Sequence, residues 1–171
     1  MTGDEIPNQR RRAEATDPYR LCRFREAQDT GNTYHLAVAE LRAGRKASHW
    51  MWVVFPQIAG LVLSAMARTY AISSLHEARA FLEDPILGFR LVESASILTE
   101  LSGRAAHEIF GQTDAVKLRS SMTLFACAAP GEPVFQRVLD QYFGGVADDA
   151  TRRLPRPLLP GRRISERSPS P

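Results

Sequence analysis

Ser74-Leu-His-Glu-Ala-Arg-Ala-Phe-Leu82 and, after Glu83, Asp84-Pro85-Ile-Leu-Gly-Phe-Arg-Leu91-Val-Glu-Ser-Ala95-Ser-Ile-Leu98 decide the fold class of this chain. Ser74 with Glu77 is a capping box: the serine side chain satisfies an orphan amide of the first turn and the glutamate reaches back, which predicts a helix over 75–82. Asp84-Pro85 pairs a capping carboxylate with a proline suited to a first turn. Leu87, Leu91, Ala95 and Leu98 then form one apolar stripe, predicting the longest helix, to about Leu101, with Gly103 behind it.

The same grammar extends in both directions. Upstream, Thr16-Asp17-Pro18 opens a helix carrying Leu21, Phe24 and Ala27-Gln28, and Thr33 caps a second with Gly44 placed to end it. Ser48 can cap a short helix over 49–54, although Trp, Val and Phe equally suit a buried strand. Phe55 must leave the helical region because Pro56 follows. A glycine-containing loop over 57–63 leads to a short helix from Ser64. Downstream, a helical turn from Arg104 closes at Gly111, and Thr113-Asp114 caps a mostly buried helix. Pro133 to Phe143 is strongly amphipathic up to Gly144-Gly145, and Asp148-Asp149 cap a terminal turn up to Leu154. Sustained period-two alternation and hairpin signals are missing. The expectation is an all-α domain of seven to eight helices over residues 16–154, with a disordered leader (1–15) and a disordered basic tail (155–171).

Composition narrows the function classes. At 171 residues, 44% hydrophobic and 24% charged, the chain suits one globular domain. No apolar run approaches the roughly 20 residues of a membrane span, and the polar N-terminus has no signal-like apolar region. Cys22 and Cys127 lack the spacing of a disulfide framework or zinc site, so a reduced, cytoplasmic setting is expected. The pI near 9.2 is misleading. Four arginines against Glu166 alone make the tail basic and leave 18 cations and 18 anions over residues 1–154. No specific nucleic-acid partner and no membrane partner follow from a neutral folded part. His35, His49, His76 and His107 form no i,i+3 or i,i+4 pair, so no metal site is expected, and no cofactor motif occurs.

The chemistry-bearing residues concentrate in Gly44-Arg-Lys-Ala-Ser-His-Trp-Met-Trp-Val-Val-Phe-Pro-Gln57 and in Asp114 to Ser121. Trp50 and Trp52 can be core residues or the aromatic wall of a pocket. Lys117, Ser120 and Ser121 can share a helix face. These segments, with Tyr70-Ala-Ile72, Pro85-Ile-Leu-Gly-Phe-Arg-Leu91, Ile109-Phe-Gly111 and Lys117-Leu-Arg-Ser-Ser-Met-Thr-Leu-Phe125, resemble the bacterial Domain of Unknown Function 1810 family from about Asp17 to Leu154. That resemblance implies a multihelical fold without an established activity. The label "calpastatin" sometimes attached to the family is physically implausible, since that inhibitor is a disordered chain and this one has the apolar content of a packed domain.

Phe24-x-x-Ala27-Gln28, followed by Arg45-Lys46 and the Trp segment, is also similar to the early helices of NADAR proteins, which act on ADP-ribose-type N-glycosides. Their Glu-His pair ahead of that helix has no counterpart here, so no catalytic glutamate is carried over. The resemblance implies a nucleotide-like ligand such as NAD or ADP-ribose, with N-glycoside hydrolysis as the accompanying reaction. Ligand-binding candidates are Lys46, Trp50, Trp52, Gln57, Lys117 and Ser121; catalytic candidates are His49 and Asp114. His49, Gln57, Lys117 and Ser121 are expected to converge on one cleft. The alternative is a non-catalytic protein-interaction module whose motifs preserve a packed core. Oligomeric state is not legible.

Overall fold

A computed structural model describes residues 16–61 and 64–153. The leader (1–15), the tail (155–171) and Leu154 at the domain's expected end lie outside these residues. Helices run in the order α1 (Cys22–Asp29), a 3-10 turn (Thr30–Asn32), α2 (Thr33–Arg42), α3 (Met51–Val54), α4 (Ala65–Thr69) and α5 (Leu75–Glu83). They continue as α6 (Leu87–Glu100), α7 (Ala106–Ala128), α8 (Pro133–Phe143) and α9 (Asp149–Arg152). The fold is all-α. Extended chain pairs at one isolated parallel bridge, Ile58 with Ile72, among the described residues.

Capping chemistry accounts for most helix starts. Ser74 Oγ accepts from the Glu77 amide at 3.1 Å, and Ser64 Oγ from the Ala67 amide at 3.2 Å. Asp84 Oδ1 takes the amides of Ile86 and Leu87, both at 3.0 Å, so α6 begins where Pro85 has already set the chain direction. Asp17 receives the amides of Leu21 and Cys22 at 2.7 and 2.8 Å and caps α1 from outside its first turn. Asp148 caps α9 through the Thr151 amide at 2.8 Å. α8 has Pro133 in its first turn and ends on Gly144 at φ 60°.

Some local expectations differ from the observed structure. Ser48 does not cap: α3 starts at Met51, and the Ser48 hydroxyl is bonded to Glu40 instead. The tryptophan segment is a single helical turn and not a strand. Thr33 lies inside α2, behind Asn32 in the left-handed region at φ 57°. The longest helix is α7, which breaks at Gly111 (φ 77°, ψ 167°). Its two legs match the two helices expected on either side of that glycine, but Asp114 serves an ion-pair cluster and not a cap.

α5, α6, α7 and α8 form the central packed group, and α2 lies on α6. Phe24, Phe81, Phe125 and Phe135 run through it with successive ring centroids 5.0, 5.5 and 5.7 Å apart. All four are fully buried, which is where large apolar area contributes most to stability. Trp50, Phe55 and Phe110 make a second aromatic group that holds α3 against the first leg of α7. No described helix is long and apolar enough to cross a membrane.

Candidate functional site

The loop between α2 and α3 is organised by Glu40. Gly44, at φ 66°, lets the chain turn back, with its amide on Leu41 O and that of Arg45 on Glu40 O. The Glu40 carboxylate then reaches along the loop. It accepts the amides of Ala47 (2.7 Å) and Ser48 (3.0 Å), the Ser48 hydroxyl, and the Trp50 indole N–H (2.8 Å). Burial alone would raise this carboxyl, but four donors to the ionised form bring it down to about 2. Sequence reasoning missed Glu40. Its one signal is an acidic side chain in the last turn of a helix, where the dipole favours cations.

That loop delivers Lys46 to the second leg of α7. The Lys46 amide docks on Ile109 O at 2.7 Å, just ahead of the Gly111 break. Its ammonium lies 2.8 Å from Asp114 Oδ2 and donates to Ser48 O at 2.7 Å. Lys117, one turn along α7, donates to Asp114 Oδ1, also at 2.8 Å. The three side chains are 9, 17 and 15% exposed, so the pairing is largely withdrawn from water. Burial opposes ionisation of Asp114, yet the hydrogen bonds and charges of Lys117 and Lys46 hold its carboxyl below the ordinary range.

Both lysines also rest on tryptophans. Lys46 Nζ is 5.3 Å from the Trp50 ring centroid and Lys117 Nζ is 5.0 Å from that of Trp52. Trp50 is 1% exposed and its indole is spent on Glu40, so it serves the core. Trp52 is half-buried, and its indole N–H is buried with no hydrogen-bond partner among the described residues. Ser121 is fully buried and its hydroxyl is likewise unpartnered. It follows Lys117 by one helical turn, on the same face.

Lys46, Trp50, Trp52, Asp114 and Lys117 are therefore brought together. No hydrogen bond or ion pair joins His49, Gln57 or Ser121 to them among the described residues. His49 is exposed. Gln57 is half-buried, and its backbone carbonyl accepts the Ile72 amide at 2.8 Å beside the β-bridge. No three His, Cys, Asp or Glu side chains gather into a metal-sized group among the described residues.

Other motif residues have structural work. Gln28, 2% exposed, donates to Val53 O at 2.8 Å and accepts from Arg90 at 3.1 Å, tying α1, α3 and α6 together. Arg90 also pairs with Asp29 at 2.8 Å and covers the Tyr34 ring at 4.7 Å. Burial, followed by the hydrogen bond to Glu93, pushes the Tyr34 hydroxyl well above its usual range.

Comparisons with known proteins agree with this picture of a packed helical domain. A family model described as "Protein of unknown function (DUF1810)" matches residues 18–154. The crystal structure of the conserved hypothetical protein Rv1873 from Mycobacterium tuberculosis is similar at 49% identity with a TM-score of 0.76. It covers 79% of this chain and 95% of that one. No curated protein matches.

Proposed function

Because the chain belongs to the DUF1810 family of proteins of unknown function, its activity has to be read from its own side chains, and we propose that it binds a nucleotide-like ligand of the NAD or ADP-ribose class at Lys46, Trp52 and Lys117, with Asp114 serving N-glycoside hydrolysis. The observation that carries this reading is the doubly paired Asp114. Lys46 and Lys117 share that one carboxylate, leaving a net charge of +1 in a largely buried cluster. Such a cluster favours an anion, and a pyrophosphate would complete the coordination of both ammonium groups.

Two further groups support a ligand at this place. The buried indole N–H of Trp52 and the buried hydroxyl of Ser121, one helical turn from Lys117, lack partners among the described residues. A buried polar group left unpaired costs about 1–3 kcal/mol, which an acceptor on a ligand would recover. Lys117 already covers the Trp52 ring, so a base stacking there displaces the ammonium towards the phosphates.

In the reaction, the bond between C1′ of the ribose and the base nitrogen breaks, and its electron pair leaves with the base. Positive charge develops on the sugar, an oxocarbenium-like state that an adjacent ionised carboxylate stabilises. Asp114, whose carboxyl Lys117 and Lys46 hold below the ordinary range, supplies the ionised carboxylate in this reading. Water then adds to C1′, one of its protons passing to the departed base or to solvent.

Thermal-shift measurements with NAD, ADP-ribose and simple nucleotides test binding, and chromatography of released base tests hydrolysis. A ligand at 100 times its dissociation constant should stabilise by about 2.7 kcal/mol. Asp114→Asn should abolish base release. No melting shift and no release with any of these compounds would end the reading. The rival, a non-catalytic interaction module, draws on Phe89 and Ile86, which are 67 and 42% exposed near each other at the start of α6.

A further inference from the structure

We propose that a second, separate site binds the phosphoryl group of a small organic phosphate in the cleft between the turn at 18–20 and the α4–α5 connection, gripped by Arg20 and Arg68. The cleft measures about 510 Å³, and its polar wall includes Tyr19, Arg20, Arg23, Arg68, Ser73 and Glu77.

The charges in this wall are not equivalent. Arg23 is committed to the fold: its guanidinium donates to Thr69 O, Ala71 O and Arg20 O, each at 3.0 Å, and pairs with Glu77 at 2.7 Å. Glu77 is equally committed. It is 3% exposed and accepts the Ser73 amide at 2.7 Å and the Ser73 hydroxyl at 2.6 Å, as well as Arg23. The carboxylate of the wall is thus neutralised by the wall's own cation. Arg20 and Arg68 are exposed, and their guanidinium groups make no hydrogen bond or ion pair among the described residues. Two unspent positive charges face one cleft.

The backbone beneath Arg20 points the same way. Arg20 sits in the left-handed region at φ 52°, a conformation that is strained for a non-glycine residue. It is held there by its amide on Asp17 O (3.0 Å), by the Arg23 amide on its carbonyl (3.1 Å), and by the Arg23 side chain on the same carbonyl. The surrounding bonds over-determine a strained position that presents an arginine unpaired among the described residues.

Two forked guanidiniums select the ligand class. A carboxylate has two oxygens and one charge, which a single arginine saturates in a bidentate pair. A phosphoryl group has three terminal oxygens and close to two charges, matching two arginines. Tyr19, half-buried in the wall, offers a flat surface to the organic part.

Amide chemical shifts of the full chain, followed during titration at constant ionic strength, test this with three probes: ribose 5-phosphate, inorganic phosphate and acetate. The phosphates should give saturable shifts at residues 19–23 and 68–73. Arg20→Gly and Arg68→Gln should each weaken binding about tenfold, the loss of one charge-assisted pair. Glycine suits φ 52°, so Arg20→Gly should melt no lower than the parent. Asp114→Asn should leave these shifts unchanged, which separates this site from the tryptophan–lysine cluster. Tighter binding of ribose 5-phosphate than of phosphate assigns the ligand to organic phosphates, and equal binding assigns it to the phosphoryl group alone. Unaltered affinity in both arginine variants, equal saturation by acetate, or a linear drift without saturation would each overturn the proposal.

Discussion

The ammonium of Lys46 lies 2.8 Å from the carboxylate of Asp114, joining the loop behind α2 to the helix that restarts after Gly111. Lys117 completes the arrangement from the other carboxylate oxygen. Loss of the aspartate should therefore cost more than loss of either lysine. Asp114→Ala leaves two largely buried ammonium groups beside each other and should cost roughly 3–5 kcal/mol. Lys46→Met or Lys117→Met leaves Asp114 with one cation and should cost about 1–2 kcal/mol. Urea unfolding measures all three. Equal losses would mean that the charges act independently.

The two tryptophans should separate by experiment in the same way as they do by environment. Trp50 is fully buried and its indole satisfies Glu40, so Trp50→Ala should cost roughly 3–5 kcal/mol. Trp52 is half-buried with an unpartnered indole, so Trp52→Ala should cost no more than about 2 kcal/mol while weakening any ligand bound beside Lys117. Melting curves decide the matter. A Trp52→Ala protein as damaged as Trp50→Ala would return Trp52 to the core.

What was legible beforehand follows from the range of the interactions. Pro133 and Gly144 bound α8 by local backbone chemistry, and Ser74 and Ser64 cap amides three residues away, so sequence spacing is sufficient. Gly111 announced its break for the same reason. Glu40 is missed and Ser48 misread because their bonds depend on how the loop closes, and a serine before an apolar run looks like a cap whether or not a carboxylate claims it first. Asp114 is the same case in tertiary form: it stands where a cap would stand, but Lys46 arrives from a remote loop. Lys46, Trp52 and Lys117 were nameable as types, whereas their meeting on one carboxylate required the fold.

Glu40 should leave a mark on acid stability. Its carboxyl titrates ordinarily at 4.5 and is held at about 2 in the folded chain. On acidification the unfolded state takes up this proton first, so the contribution is complete above about 4.5 and is lost as pH falls towards 2. Allowing for partial solvent exposure, it should amount to about 1–2 kcal/mol. Glu40→Gln should lower stability at neutral pH and flatten the acid limb over that window. Asp17 and Asp114, also held below their ordinary values, keep the remaining slope. An acid limb with the same slope in Glu40→Gln would remove Glu40 from its organising role.

Two glycine-to-alanine changes should move stability in opposite directions. At Gly88, in the first turn of α6, an added Cβ would stand 2.0 Å from the Leu82 carbonyl oxygen and 2.8 Å from its carbon. Both atoms are backbone, fixed by the short turn that caps α6 on Asp84, and cannot swing aside as a flexible side chain would. Alanine ordinarily improves a helix interior by about 1 kcal/mol over glycine. Here that gain is overwhelmed, because α5 and α6 must separate, and Gly88→Ala should lose more than about 3 kcal/mol. Gly131 has no neighbour within 4 Å of such a Cβ among the described residues, and no positive φ. Gly131→Ala should therefore stabilise by about 0.4–1 kcal/mol through the unfolded state. Denaturant midpoints at unchanged m-value measure both. A Gly88→Ala protein as stable as Gly131→Ala would show that the α5–α6 turn is not closed on this glycine, and that its place in the Pro85–Leu91 segment has a cause other than contact.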